Sequence, residues 1–191
     1  IPIIEQSVKT MIGIFIYAGG LLLVVVAAVV DIKTKTIHDA VSLGIFVLGL
    51  IGLFTGLEPF LNNKVLVLSS SSDIVAKSSM SFFQNFFVRI IGMGIISLPM
   101  FALNLISKKV NREIENDEII GLGDVFFCGA LGFLLGPFGI LESALTAFVF
   151  AGIFAGGGIL FGRLKRKDSI PLIPFFALGM TFFLIVRRAG L

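Results

Sequence analysis

The chain has 191 residues, of which 57% are hydrophobic and 14% charged, with a net charge of +3 and a mean hydropathy of +1.06. Too few polar residues remain to clothe a solvated surface, so the composition excludes an ordinary soluble domain and reads as an integral membrane protein. The small positive charge leaves no footprint for nucleic acid, and a single cysteine, Cys128, excludes an intrachain disulfide or a cysteine-based zinc site.

Stretches poor in charge predict six transmembrane helices, at 11–30, 40–57, 86–107, 122–141, 143–162 and 169–186. Each approaches the roughly 20 residues needed to cross about 30 Å of hydrocarbon. The expected fold is an all-α membrane protein, a bundle of six transmembrane helices with the amino terminus outside, forming one domain over residues 1–191. The first span is not read as a removable signal peptide, because Lys9 is the only early basic residue and no small-residue cleavage site follows the apolar run.

Asp31 closes the first span, and a short charged loop leads to Asp39, the expected N-cap of the second. The next loop, 58–84, carries Ser69-Ser70-Ser71-Ser72 with Ser78, Ser79 and Ser81, and is expected to be mobile and outside; Val65-Leu66-Val67-Leu68 within it could rest on the membrane surface. Arg89 is expected to snorkel to the outer surface. The loop 108–120 is densely charged and runs into Gly121-Leu122-Gly123-Asp124, which opens the fourth span. Gly136-Pro137-Phe138-Gly139 predicts a tight turn with Glu142 at the interface beyond it, and 163–168 a basic hinge before the last span. Gly19-Gly20, Gly92, Gly94 and Gly156-Gly157-Gly158 offer close helix contacts, and Cys128, inside an apolar run, a packing role.

With the amino terminus outside, the cytoplasmic loops hold Lys33, Lys35, Lys108, Lys109, Arg112, Arg163, Lys165, Arg166 and Lys167, nine of the fifteen basic residues. The positive-inside rule favours that orientation. Helices that alternate in direction put the end of an odd span and the start of an even one on the same side. Asp31 and Asp124 therefore share one surface, the cytoplasmic one.

Carboxylates at the edge of hydrocarbon are costly and usually functional. Taken singly, Asp124 reads equally well as a helix N-cap, and Asp31 as an interfacial residue paired with Lys33 or Lys35. Together they can do what metal-free peptide hydrolysis requires, one carboxylate taking a proton from water and the other protonating the leaving amine. Gly121 and Gly123, without side chains, would let an extended peptide approach or would take positive φ. Glu113, Glu115, Asp117 and Glu118 read as a solvated loop, or as acids that attract a basic peptide. His38 reads as a loop residue.

Three segments resemble prepilin peptidases. Asp31-Ile32-Lys33-Thr34-Lys35-Thr36-Ile37-His38-Asp39 is similar to their first-aspartate region, Gly121-Leu122-Gly123-Asp124-Val125-Phe126-Phe127-Cys128-Gly129-Ala130-Leu131-Gly132 to their second-aspartate motif and the helix after it, and Ile170-Pro171-Leu172-Ile173-Pro174-Phe175-Phe176-Ala177-Leu178-Gly179 to their Pro-containing last span. His38 and Asp39 depart from the family's usual proline and asparagine. The resemblance implies a multi-pass aspartic endopeptidase of the cytoplasmic membrane, with Asp31 and Asp124 catalytic and Gly121, Gly123, Glu113, Glu115, Asp117 and Glu118 binding substrate. Its partners would be the lipid bilayer and pilin-like or archaeal flagellin precursors, each a short basic leader followed by an apolar helix, with no nucleic acid. The paired cysteines of the family's methyltransferase region are missing, which implies no methylation and a short form of the archaeal or tight-adherence type. No cofactor or metal is implied, since two carboxylates with one His and one Cys make a poor transition-metal site.

The reading from another class is a small proton- or cation-coupled transporter that uses the two aspartates. A third is the signal peptide peptidase and presenilin group, whose first aspartate usually follows tyrosine; here Val30 precedes Asp31 and the only tyrosine is Tyr17.

Overall fold

The computed structural model describes residues 2–34, 39–57, 81–110, 121–163 and 170–188. Among them the only regular elements are five helices: α1 (Pro2–Thr34), α2 (Asp39–Phe54), α3 (Phe82–Val110), α4 (Leu122–Leu160) and α5 (Ile173–Arg188). Three stretches, Met11–Lys33, Phe82–Ile106 and Leu122–Leu160, are long and apolar enough to cross a membrane, and α2 and α5 are shorter apolar helices. The serine-rich segment through residue 80, His38, the acids at 111–120 and most of the basic hinge lie outside the described residues.

Five helical elements stand where six spans were expected, because the fourth and fifth segments form one continuous element, α4, that is broken by a reversal at Gly136. In α4 only Gly136 leaves helical geometry, at φ 79° and ψ 178°, and Pro137 resumes it at once. Glycine tolerates that conformation, and proline, with φ fixed and no N–H, suits a first helical position. The chain doubles back there. Phe127 and Phe148 both meet Phe176 edge-on, at centroid distances of 6.1 and 6.2 Å, whereas on a straight helix they would stand about 31 Å apart. The span boundary set by charge, at Glu142, is displaced, whereas the tight turn predicted at Gly136-Pro137-Phe138-Gly139 is where the backbone reverses.

Arg89 corrects a second expectation. It is fully buried and does not reach the outer surface. Its Nη1 donates to the carbonyl oxygens of Phe133 at 3.0 Å and Leu134 at 3.3 Å, its Nη2 to that of Leu57 at 2.6 Å, and its Nε to Asn85 Oδ1 at 2.9 Å. These carbonyls belong to the ends of two helical segments. Leu57 closes α2 through a Schellman turn, in which its N–H bonds Gly52 O at 2.9 Å and the Gly56 N–H bonds Leu53 O at 3.1 Å. Phe133 and Leu134 end the first half of α4. A cation suits helix carboxyl ends, where carbonyl dipoles converge.

The opening turn of α3 is a capping box: the Gln84 N–H bonds Ser81 Oγ at 3.3 Å, and the Ser81 N–H bonds Gln84 Oε1 at 3.1 Å. Farther along, α3 meets α4 backbone to backbone. A Cβ on Gly92 would collide with the carbonyl oxygen of Gly132 and stand 2.7 Å from the Gly136 carbonyl carbon, so only hydrogen fits there. Gly156 and Gly157, by contrast, have nothing within 4 Å of such an added atom, and the close contacts expected there do not form.

The core gathers around α4, where Leu131, Leu134, Leu135 and Ile140 meet Val24, Ile45, Met180 and Phe183, and Cys128 is buried among them. The outer face is apolar, with Phe15, Leu22, Phe83, Phe87 and Ile153 exposed, as suits a surface solvated by lipid.

Candidate active site

Both aspartates arrive at one end of the bundle. Asp31 lies in the last turn of α1, and α2 restarts at Asp39 after a short link, so the two residues share that end. Leu57, Asn85, Arg89, Phe133 and Leu134 are bonded together at the opposite end. The first half of α4 thus runs from Asp124 toward the Arg89 end, and Asp124 stands at the Asp31 end. The two carboxylates are close enough for the charge of Asp31 to act on Asp124.

Asp31 is 6% exposed. Its carboxylate faces the backbone N–H of Ile173, the first residue of α5, rather than Lys33, which is exposed. Its Oδ2 is buried with no hydrogen-bond partner among the described residues. Residues at the amino end of a helix have N–H groups without intrahelical acceptors, so α5 supplies a donor to Asp31 at no cost to itself. The Ile173 amide was not singled out from the sequence. The signal was available in Pro171 and Pro174, which bracket a helix start.

Asp124 is half-buried. It is the third residue of α4, so it is not the N-cap; Gly121 holds that place in an extended conformation, φ −67° and ψ 141°. The Asp124 N–H bonds Gly121 O at 3.1 Å, and its carboxylate reaches back to the Gly121 N–H, which is half of a capping box. A Cβ on Gly121 would come within 3.8 Å of Asp124 Oδ2. That is an ordinary contact, and nothing else among the described residues lies within 4 Å of the added atom, so the space beside Gly121 is open. Neither Gly121 nor Gly123 has positive φ, which among the described glycines is confined to Gly56, Gly136 and Gly162. Asp39 is the first residue of α2 and is exposed. Glu113, Glu115, Asp117 and Glu118 lie outside the described residues.

Fold and site together define a helical membrane protein with two interacting carboxylates at one end of its bundle. The model of the type IV leader peptidase family matches residues 18–156, a stretch that contains both aspartates. The chain belongs to that family, in agreement with the resemblance of its two aspartate motifs; the segment from Ile170 lies beyond the matched stretch. It is a leader peptidase-like protease, and the family implies pilin-like precursors as substrates in general. Neither a comparison with curated proteins nor one with solved structures finds a match.

Proposed function

We propose that the chain is an aspartic endopeptidase of the cytoplasmic membrane, with its amino terminus outside. It removes the short basic leader from pilin-like or archaeal flagellin precursors at the cytoplasmic face. The observation that carries the reading is the juxtaposition of Asp31 and Asp124, far apart in sequence and within electrostatic reach of each other. Two neighbouring carboxylates resist double ionisation and so supply one base and one acid. The ionised carboxylate takes a proton from water, the resulting hydroxide equivalent attacks the scissile carbonyl carbon, and the protonated carboxyl gives its proton to the departing amine as the C–N bond breaks. Burial of Asp31 and the Ile173 N–H hold one carboxylate in place; the open space before Gly121 admits the peptide.

The test is cleavage of a pilin-like precursor with a lysine-rich leader, followed by gel shift, using the wild type, Asp31→Asn and Asp124→Asn. Each variant should insert and fold yet lose cleavage, and the double variant should lose no more than either single one, because acid and base act as one unit. Substantial cleavage by either variant removes the two-aspartate mechanism.

A further inference from the structure

Neighbouring helices leave one space unfilled beside this site. α2 and α3 each pack on α4 but scarcely touch each other. Between them runs a groove of about 450 Å³ lined by Asp39, Ser42 and Phe46 of α2, Met93 of α3, and Phe126 and Ala130 of α4. Its position is set by the site: Asp39 lies at the Asp31 end, and Phe126 follows Asp124 by two residues. The walls are almost wholly apolar, with two exceptions. Asp39 puts an exposed carboxylate at the mouth. One turn inward, Ser42 is 6% exposed, and its Oγ is buried without a hydrogen-bond partner among the described residues. A buried hydroxyl left unpaired costs free energy that a polar atom of an incoming chain would recover.

We infer that this groove seats the apolar helix of the precursor, with the leader's basic residues at Asp39 and the cleavage junction beside Asp124. The inference rests on the function proposed above. Charge complementarity selects the occupant: an apolar segment preceded by cationic residues matches an apolar trough with an acid at its mouth. A lipid chain matches the trough but makes no use of Asp39 or Ser42. At the junction the substrate backbone must be extended to be cut, which frees N–H and C=O groups, and Ser42 lies where one of them can be paired.

The experiment uses the full chain in lipid nanodiscs with two substrates that share a lysine-rich leader and junction. One retains the complete apolar helix and the other is truncated a few residues beyond the cut. Ala40→Trp, at an exposed wall position, blocks the groove without entering the core. It should raise KM for the long substrate about tenfold and leave the short one unchanged. Asp39→Asn should raise KM for both substrates, and the increase should vanish when the leader lysines are neutral. As an independent reading, Phe126→benzoylphenylalanine should photocrosslink to the precursor's apolar segment. If the wild type cleaves both substrates while Ala40→Trp treats them as the wild type does, the inference fails. It fails equally if the photoprobe captures only lipid or a second copy of the chain. A wild type that cleaves neither substrate overturns the proposed function instead.

Discussion

Arg89 Nη1 donates to the carbonyl oxygen of Phe133 at 3.0 Å, the same oxygen that Pro137, four residues on, leaves without its helical N–H donor. An arginine on α3 therefore replaces the missing donor at the point where α4 doubles back, and its Nη2 ties that turn to the end of α2 at Leu57 O. The Phe133 ring lies beneath the guanidinium, 5.9 Å from ring centroid to Cζ. Three helices are thus tied together by one cation.

Arg89→Met should destabilise the protein strongly, because it leaves Phe133 O and Asn85 Oδ1 buried without donors, at about 1–3 kcal/mol for each orphaned group. A loss of about 3 kcal/mol corresponds to a Tm lower by roughly 6–12 °C at this chain length. Arg89→Lys, which has no planar fork to bridge two helix ends, should fall between the two. Thermal unfolding in detergent checks the order. If Met and Lys are both as stable as arginine, the network is not what holds the turn.

This arginine also marks where the sequence could be read and where it could not. Absence of charge identified every helix, and alternation of direction put Asp31 and Asp124 at one end, because both arguments need only the segment order. Charge alone misplaced the span boundary at Glu142, since a charged residue can sit inside a helix, but the Gly136-Pro137 turn signal marked the reversal correctly. Charge failed again at Arg89, whose partners Leu57, Phe133 and Leu134 are backbone carbonyls. A carbonyl has no residue type, so no side-chain pattern announces that a cation will be buried against it. The Ile173 amide beside Asp31 has no residue type either, and only Pro171 and Pro174, on both sides of the helix start, point to it.

The contact between Gly92 and Gly132 predicts a contrast between two glycines on one helix. Gly132→Ala pushes a methyl group into the backbone of α3 and should cost about 1–3 kcal/mol as α3 and α4 separate. Gly156→Ala meets open space and should be neutral, or stabilising by up to about 1 kcal/mol through helix propensity. Chemical denaturation of the two variants beside the wild type checks the sign of each. Equal effects would mean that helix propensity and not packing governs both positions.

The proposed orientation predicts which side of the membrane each loop faces. In a Cys128→Ser background, Lys35→Cys, Ser107→Cys and Lys165→Cys should react with an impermeant maleimide only from the cytoplasmic side, and Ser71→Cys only from outside. The basis is the nine of fifteen basic residues assigned to the cytoplasmic loops. Labelling of positions 35 and 107 from opposite faces would contradict the shared side of the two aspartates and send the catalytic proposal back to its start.

We propose that Glu113, Glu115, Asp117 and Glu118 recruit substrate without entering the chemistry. Four acids within six residues directly precede Gly121, so they are tethered by a few residues to the helix that carries Asp124, on the face where a basic leader would arrive. Solvated charges act mainly on encounter, over a Debye length of roughly 8 Å at physiological salt, and added salt weakens them. Replacing all four with their amides should therefore raise KM for a lysine-rich leader, leave kcat nearly unchanged and reduce the salt sensitivity of cleavage. Neutral substitutions in the leader should produce the same loss of salt sensitivity, and combining the two changes should add nothing. A fall in kcat would place the acids in the bond-breaking step, and indifference to leader charge would return them to the role of a solvated loop.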